Sequence, residues 1–176
     1  MEFKNNIDIK SINEYVTIDI ETTGFRGNTD KIIEIGACKV KDGKIIDEYT
    51  TFVNAEQKLS DVIEKITGIR DEMLQKAETI NFVLPKLLAF VGDLPIVIYS
   101  DNFVMRFIRE NCSRLELNID NKIIDALYLC KKIFPECHFF SPKRVSEFLN
   151  IETDFNKLID YARFDVAIFE AIKRVF

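Results

Sequence analysis

The chain has 176 residues, 47% hydrophobic and 30% charged, an ordinary composition for one globular domain spanning residues 1–176. Its formal net charge of −5 excludes a free-standing, non-specific binder of duplex DNA, which needs a basic footprint, but not a metal-dependent nuclease, whose ions bring positive charge of their own. Its most apolar region, Phe82 to Tyr99, is broken by Lys86, Gly92 and Asp93, which excludes a membrane span there.

The first predicted element is a strand over 15–21. Val16, Ile18 and Ile20 point one way; Tyr15, Thr17, Asp19 and Glu21 point the other. Two carboxylates on one strand face repel each other, and Asp is a poor strand former. Either this face is solvated, or a hard cation such as Mg²⁺ or Mn²⁺ sits between the two acids. Strands over 31–40 and 45–53 follow, with Lys41-Asp42-Gly43-Lys44 as the hairpin turn between them. A helix is predicted near 59–66 and another over 79–91, with Pro85 early in it. Residues 95–99 read as a short buried strand. Ser100 or Asp101 caps the next helix, which runs to about Leu115. A last strand at Ile123-Ile124 precedes helices near 126–134, 143–149 and 156–175. Glycine is absent after Gly92, in keeping with a helical second half. Three meandering strands followed by strands alternating with helices predict an α/β fold with a mixed sheet.

The four cysteines, Cys38, Cys112, Cys130 and Cys137, form no C-x-x-C pair, and no segment has signal-peptide character. Reduced thiols and a cytoplasmic location are expected. Cys137-His138 is half a metal site with no partner pair in the sequence.

Asp19-Ile20-Glu21-Thr22-Thr23-Gly24, closing a strand, resembles the first motif of the DEDD exonuclease superfamily, which includes the proofreading exonucleases of replicative DNA polymerases such as the epsilon type of DNA polymerase III. Further stretches resemble the same family in the same order. They are Lys31 to Ala37, Ile66-Thr67-Gly68-Ile69 with Met73-Leu74, and Ile124-Asp125-Ala126-Leu127 with Phe134-Pro135. The resemblance implies a ribonuclease H-like fold and hydrolysis of nucleic acid from single-stranded 3′ ends. It implies two divalent ions, Mg²⁺ or Mn²⁺, held by four carboxylates, and a DNA polymerase as a possible partner. Asp19 and Glu21 match the first two ligands. Thr22, Thr23 and Gly24 match the turn that receives the terminal nucleotide, and Phe103 matches a family aromatic beside it.

Two motifs depart from the pattern. Where the family has His-Asn-x-x-Phe-Asp-x-x-Phe-Leu, this chain has Tyr99 to Ile108, with Val104 in the place of the third carboxylate. Val104, Phe107, Ile108 and Leu115 form one apolar stripe, so position 104 faces inward, and valine binds no cation. Asp101, one turn earlier, either reaches a metal or caps its helix. The last motif expects His-x-x-x-x-Asp, but the only histidine is His138. Ungapped matching puts Asn156 and Tyr161 at the two positions, and a shifted register puts Phe155 and Asp160 there. The family's other branch uses Tyr-x-x-x-Asp, which Tyr161 and Asp165 satisfy. Leu158, Tyr161, Ala162, Asp165, Phe169 and Ile172 share one helical stripe. A carboxylate amid that stripe needs a basic partner or a metal. Asp165 is thus the candidate fourth ligand and Tyr161 the candidate water-orienting group, with Asp160 expected in solvent. Asp125 is expected to be structural. Arg106, Lys143, Arg144, Lys157 and Arg163 are either phosphate contacts or plain surface. Two functions remain open: an exonuclease, impaired by Val104, or an inactive pseudo-exonuclease that binds nucleic acid or a polymerase.

Overall fold

The computed structural model describes residues 8–99 and 101–175, the side chain of Asp101 excepted. A 3₁₀ turn at Ile9–Ser11 leads into β1 (Glu14–Thr22), β2 (Ile32–Lys41) and β3 (Lys44–Phe52). These pair antiparallel in sequence order. Asp42 and Gly43, both at positive φ, turn the β2–β3 hairpin. Then come α1 (Asp61–Thr67), α2 (Asp71–Leu74), α3 (Ile80–Val91), β4 (Ile96–Ile98), α4 (Asp101–Arg114), β5 (Ile123–Asp125), α5 (Ala126–Ile133), α6 (Pro142–Leu149) and α7 (Leu158–Val175). Among the described residues the sheet has the order β3-β2-β1-β4-β5, with β4 and β5 parallel to β1. This is the expected mixed sheet flanked by helices. The short helix α2 was not expected; the proposed cap at Ser100 lies outside the described residues.

β1 is buried on both faces, which explains why its acids are not a solvated surface. Val16, Ile18 and Ile20 pack on one side with Val83, Leu84 and Leu87 of α3 and Phe107 and Ile108 of α4. Tyr15 packs on the other with Ala162, Phe169 and Ile172 of α7. Two features let α7 lie close to the sheet. A Cβ on Gly36 of β2 would stand 3.3 Å from the backbone of Ile159, tighter than most real contacts. The buried hydroxyl of Thr17 donates to the carbonyl of Ala162 at 2.8 Å. No described helix is long and apolar enough to cross a membrane.

Candidate active site

Asp19 and Glu21 lie at the end of β1, on the face that α7 covers. The Ile20 amide donates to Asp19 Oδ1 at 2.8 Å. Burial nevertheless pushes the Asp19 carboxyl up to about 7, with the charge of Glu21 adding to the rise. Burial raises Glu21 as well. Directly across the ladder from Glu21 stands Glu34 of β2. Burial and the facing Glu21 push it up to about 7. Two like charges in register are unfavourable. The pair opens into a cleft of about 360 Å³ shared with Thr67, Lys157 and Tyr161.

The turn after β1 is built from its own side chains. Thr22 donates to the Gly24 carbonyl at 2.5 Å. The Lys31 amide donates to Thr23 Oγ1 at 2.9 Å. A Cβ on Gly24 would fall 2.5 Å from the Asp30 carboxylate, so a larger residue there would have to displace that side chain. The turn delivers Phe25 to the surface at 79% exposure, its ring edge-on to Phe103 with centroids 6.2 Å apart. Arg106 and Arg114 of α4 hold this loop by donating to the carbonyls of Phe25 and Asn28.

The helix α7 supplies the other half. Asp165 is 4% exposed, and the Tyr99 amide at the end of β4 donates to its Oδ2 at 2.9 Å. Burial, and then the charge of Asp19, hold its carboxyl well above the usual range. Among the described residues it has no basic partner, so the core ion pair considered from sequence is absent. Tyr161, one turn earlier, faces the same acids. Its phenol is raised by burial, then by Glu21 and Asp19.

Asp160 corrects the expectation of a solvated acid. It is the third residue of α7, and its side chain is 16% exposed. Its Oδ2 accepts from the Asn156 and Lys157 amides at 3.1 and 3.0 Å. Its Oδ1 accepts from Arg163 at 3.2 Å. Helix starts leave N–H groups without partners, and an acid at this position reaches back to satisfy them. Asp160 is thus engaged at the start of α7, whereas Asp165 lies buried beside Asp19.

The remaining expected residues scatter. Val104 is 3% exposed within the apolar layer behind β1, as its helical phase implied. The backbone of Asp101 opens α4, and its side chain lies outside the described residues. Asp125 caps α5 by accepting from the Tyr128 amide. Of the candidate cations, Arg163 grips Glu48 through Nε and Nη2 at 2.7 and 2.8 Å, and Arg144 pairs with Glu147. Exposed Lys143 and Lys157 line the two grooves beside Tyr161. His138 is exposed in the loop between α5 and α6. Sequence reasoning missed Glu34 and Phe25. Pairing the two strands through their hairpin would have set Glu34 beside Glu21, and an aromatic directly after Gly24 was visible.

Asp19 and Glu21 have the hard, charged oxygens that a divalent ion requires, and Asp165 adds a third beside Asp19. Among the described residues, however, no three acidic, histidine or cysteine side chains stand close enough to enclose one ion. The donor set fits a cation at the Asp19–Glu21 pair and leaves the second ion of the family without a carboxylate at Val104.

The exonuclease (RNase T) family model matches residues 16–139, from β1 into the loop after α5. Among curated relatives, the PolC-type DNA polymerase III of Caldanaerobacter subterraneus subsp. tengcongensis is 37% identical over 139 residues, 79% of this chain and 10% of that protein. That of Clostridium perfringens is 36% identical over 151 residues, 85% and 10%. The chain spans about a tenth of the length of these relatives. A solved exonuclease I shares the fold with a TM-score of 0.81 at 15% identity, covering 93% of this chain and 41% of that one. The nuclease domain of 3′hExo, a DEDDh family member bound to rAMP, gives 0.75 at 18% identity, covering 93% and 92%.

Proposed function

The chain belongs to the exonuclease family, and from that membership we propose that residues 1–176 act as one domain that removes nucleotides from single-stranded 3′ ends. The observation that carries this reading is the convergence of Asp19 and Glu21 from β1 with Tyr161 and Asp165 from α7, residues 140 or more positions apart in the sequence. Burial raises all three acids, and a neighbouring acid adds to the rise at Asp19 and Asp165, a cost that a bound cation would remove. Asp19 and Glu21, with Asp165 beside them, would hold Mg²⁺ or Mn²⁺, which would neutralise the scissile phosphate and lower the pKa of attacking water. The Tyr161 hydroxyl orients that water, because the chain places no histidine beside the acids. The Thr22-Thr23-Gly24 turn receives the terminal nucleotide, and the Phe25–Phe103 pair offers it an aromatic face.

A second reading follows from Val104. An apolar side chain at the third ligand position, and no three acids around one ion among the described residues, suit a domain that binds a 3′ end without cutting it, beside a polymerase like those of its relatives. Digestion of labelled single-stranded DNA and RNA with Mg²⁺ or Mn²⁺ separates the two. We expect the 3′ label to leave first as a mononucleotide, and Asp19→Ala to slow this by roughly 100-fold or more, the scale of losing one group that stabilises transition-state charge. Bound but uncut oligonucleotide supports the second reading instead.

A further inference from the structure

Among the described residues every fully buried side-chain oxygen has a hydrogen-bond partner, and the Tyr161 hydroxyl, which makes none to protein, is open to the cleft it lines. Its orientation comes from packing. The aromatic neighbour is Phe155, whose ring lies 4.9 Å from that of Tyr161 at an interplanar angle of 49°. Phe155 in turn packs on buried Phe164 at 5.5 Å, and Phe164 on Tyr99 at 5.1 Å. A row of four rings thus runs from the end of β4 to the acid cleft.

Phe155 also has a backbone φ of +50°. A bulky residue seldom enters the left-handed region, and the conformation costs of order 1 kcal/mol or more unless the surroundings hold it. Phe155 stands between two grooves. The acid cleft lies on one side, and a groove of about 700 Å³ beneath α6, lined by Lys143, Asn150 and Ile151, lies on the other. Among the described residues only Phe155 and Tyr161 border both.

We propose that Phe155 is the positioning residue for Tyr161: its ring, fixed by the strained turn and by Phe164, holds the Tyr161 hydroxyl toward Glu21 and Asp19. This rests on the water-orienting role of Tyr161 in the proposed exonuclease.

The test combines a double-mutant cycle with a spectroscopic readout that does not depend on activity. Variants Phe155→Ala, Phe155→Leu, Tyr161→Phe and Phe155→Ala/Tyr161→Phe are assayed for exonuclease turnover and melting temperature. The chain is also labelled at the tyrosine Cζ carbons. It has five tyrosines, and the Tyr161 resonance is identified by its loss in Tyr161→Phe. We expect Phe155→Ala to shift or broaden that resonance while the Tyr15 and Tyr128 signals stay in place. We expect turnover to fall by roughly 10-fold or more in Phe155→Ala, with KM unchanged, and to recover in part in Phe155→Leu. The double variant should be no slower than Tyr161→Phe alone, because both changes disable one group. An unmoved Tyr161 resonance in Phe155→Ala overturns the proposal whatever the turnover. So does a double variant whose losses multiply, since Phe155 would then act independently. Full turnover in Tyr161→Phe overturns instead the catalytic role of Tyr161, and with it any need to position its hydroxyl.

Discussion

At the scale of single residues, Val104 is where the chain departs from the exonuclease pattern. It stands where the resembled family keeps a metal-binding acid, and it is packed among Ile18, Ile20 and Phe107 in the layer behind β1. Replacing it by Asp puts a charge where the surroundings are apolar. In metal-free buffer Val104→Asp should lose about 3 kcal/mol, the scale of an uncompensated buried charge. Saturating Mn²⁺ should return part of this, and exonuclease turnover should rise above that of the unaltered chain. Thermal melts with and without Mn²⁺, alongside the digestion assay, check both statements. Stability lost with no Mn²⁺ response would mean that this position no longer reaches the cleft. The inward direction of Val104 was legible from the period of its helix. The behaviour of Asp160 was not, because phase shows which way an acid points but not that the two amides before it lack partners. The spacing from Lys157 to Asp160 carried that information only once the start of α7 was known.

At the scale of elements, antiparallel pairing of β1 and β2 brings Glu34 opposite Glu21, two residues from Asp19. The pairing makes the metal-free cleft sensitive to pH. Burial, and then the charge of Glu21, push Asp19 and Glu34 up to about 7, well above ordinary carboxylates. A group whose folded pKa is raised contributes stability that is complete below its unfolded pKa and is lost as pH rises through the folded one. Without metal, the protein should therefore melt higher at pH 5.5 than at pH 8. Glu34→Gln, which cannot ionise, should narrow that gap by about 1–2 kcal/mol, with allowance for partial exposure of Glu34. Melts across this range in a chelating buffer test it. An equal gap in both proteins would mean that Glu34 is better solvated than its place across from Glu21 implies. The strands themselves were legible because alternation and the Asp42-Gly43 turn are local signals. The pairing of Glu21 with Glu34 depends on register. A shift between Glu21 and Thr22 on β1 interrupts that register.

In the whole molecule, the order of elements followed from sequence pattern and family resemblance together, whereas the burial of β1 on both faces did not, since alternation alone left the face of Asp19 and Glu21 open to solvent. The convergence of α7 on β1 was less accessible. Helical phase singled out Asp165, but its approach depends on Gly36 leaving room for Ile159 and on Thr17 binding the carbonyl of Ala162. Neither contact has a sequence signal, since each joins residues more than 100 positions apart. The acidic net charge fits a domain that meets single-stranded 3′ ends through bound ions rather than through a basic surface. We propose that Asp165, and not Asp160, completes the centre begun by Asp19 and Glu21. Calorimetric titration of Mn²⁺ into the unaltered chain, Asp165→Asn and Asp160→Asn tests it most directly. We expect Asp165→Asn to weaken binding by about 10-fold or more, at least about 1.4 kcal/mol, and Asp160→Asn to bind as the unaltered chain does, its helix-capping oxygen being retained. Unchanged affinity in Asp165→Asn, or a greater loss in Asp160→Asn, would mean that Asp165 lies outside the metal centre.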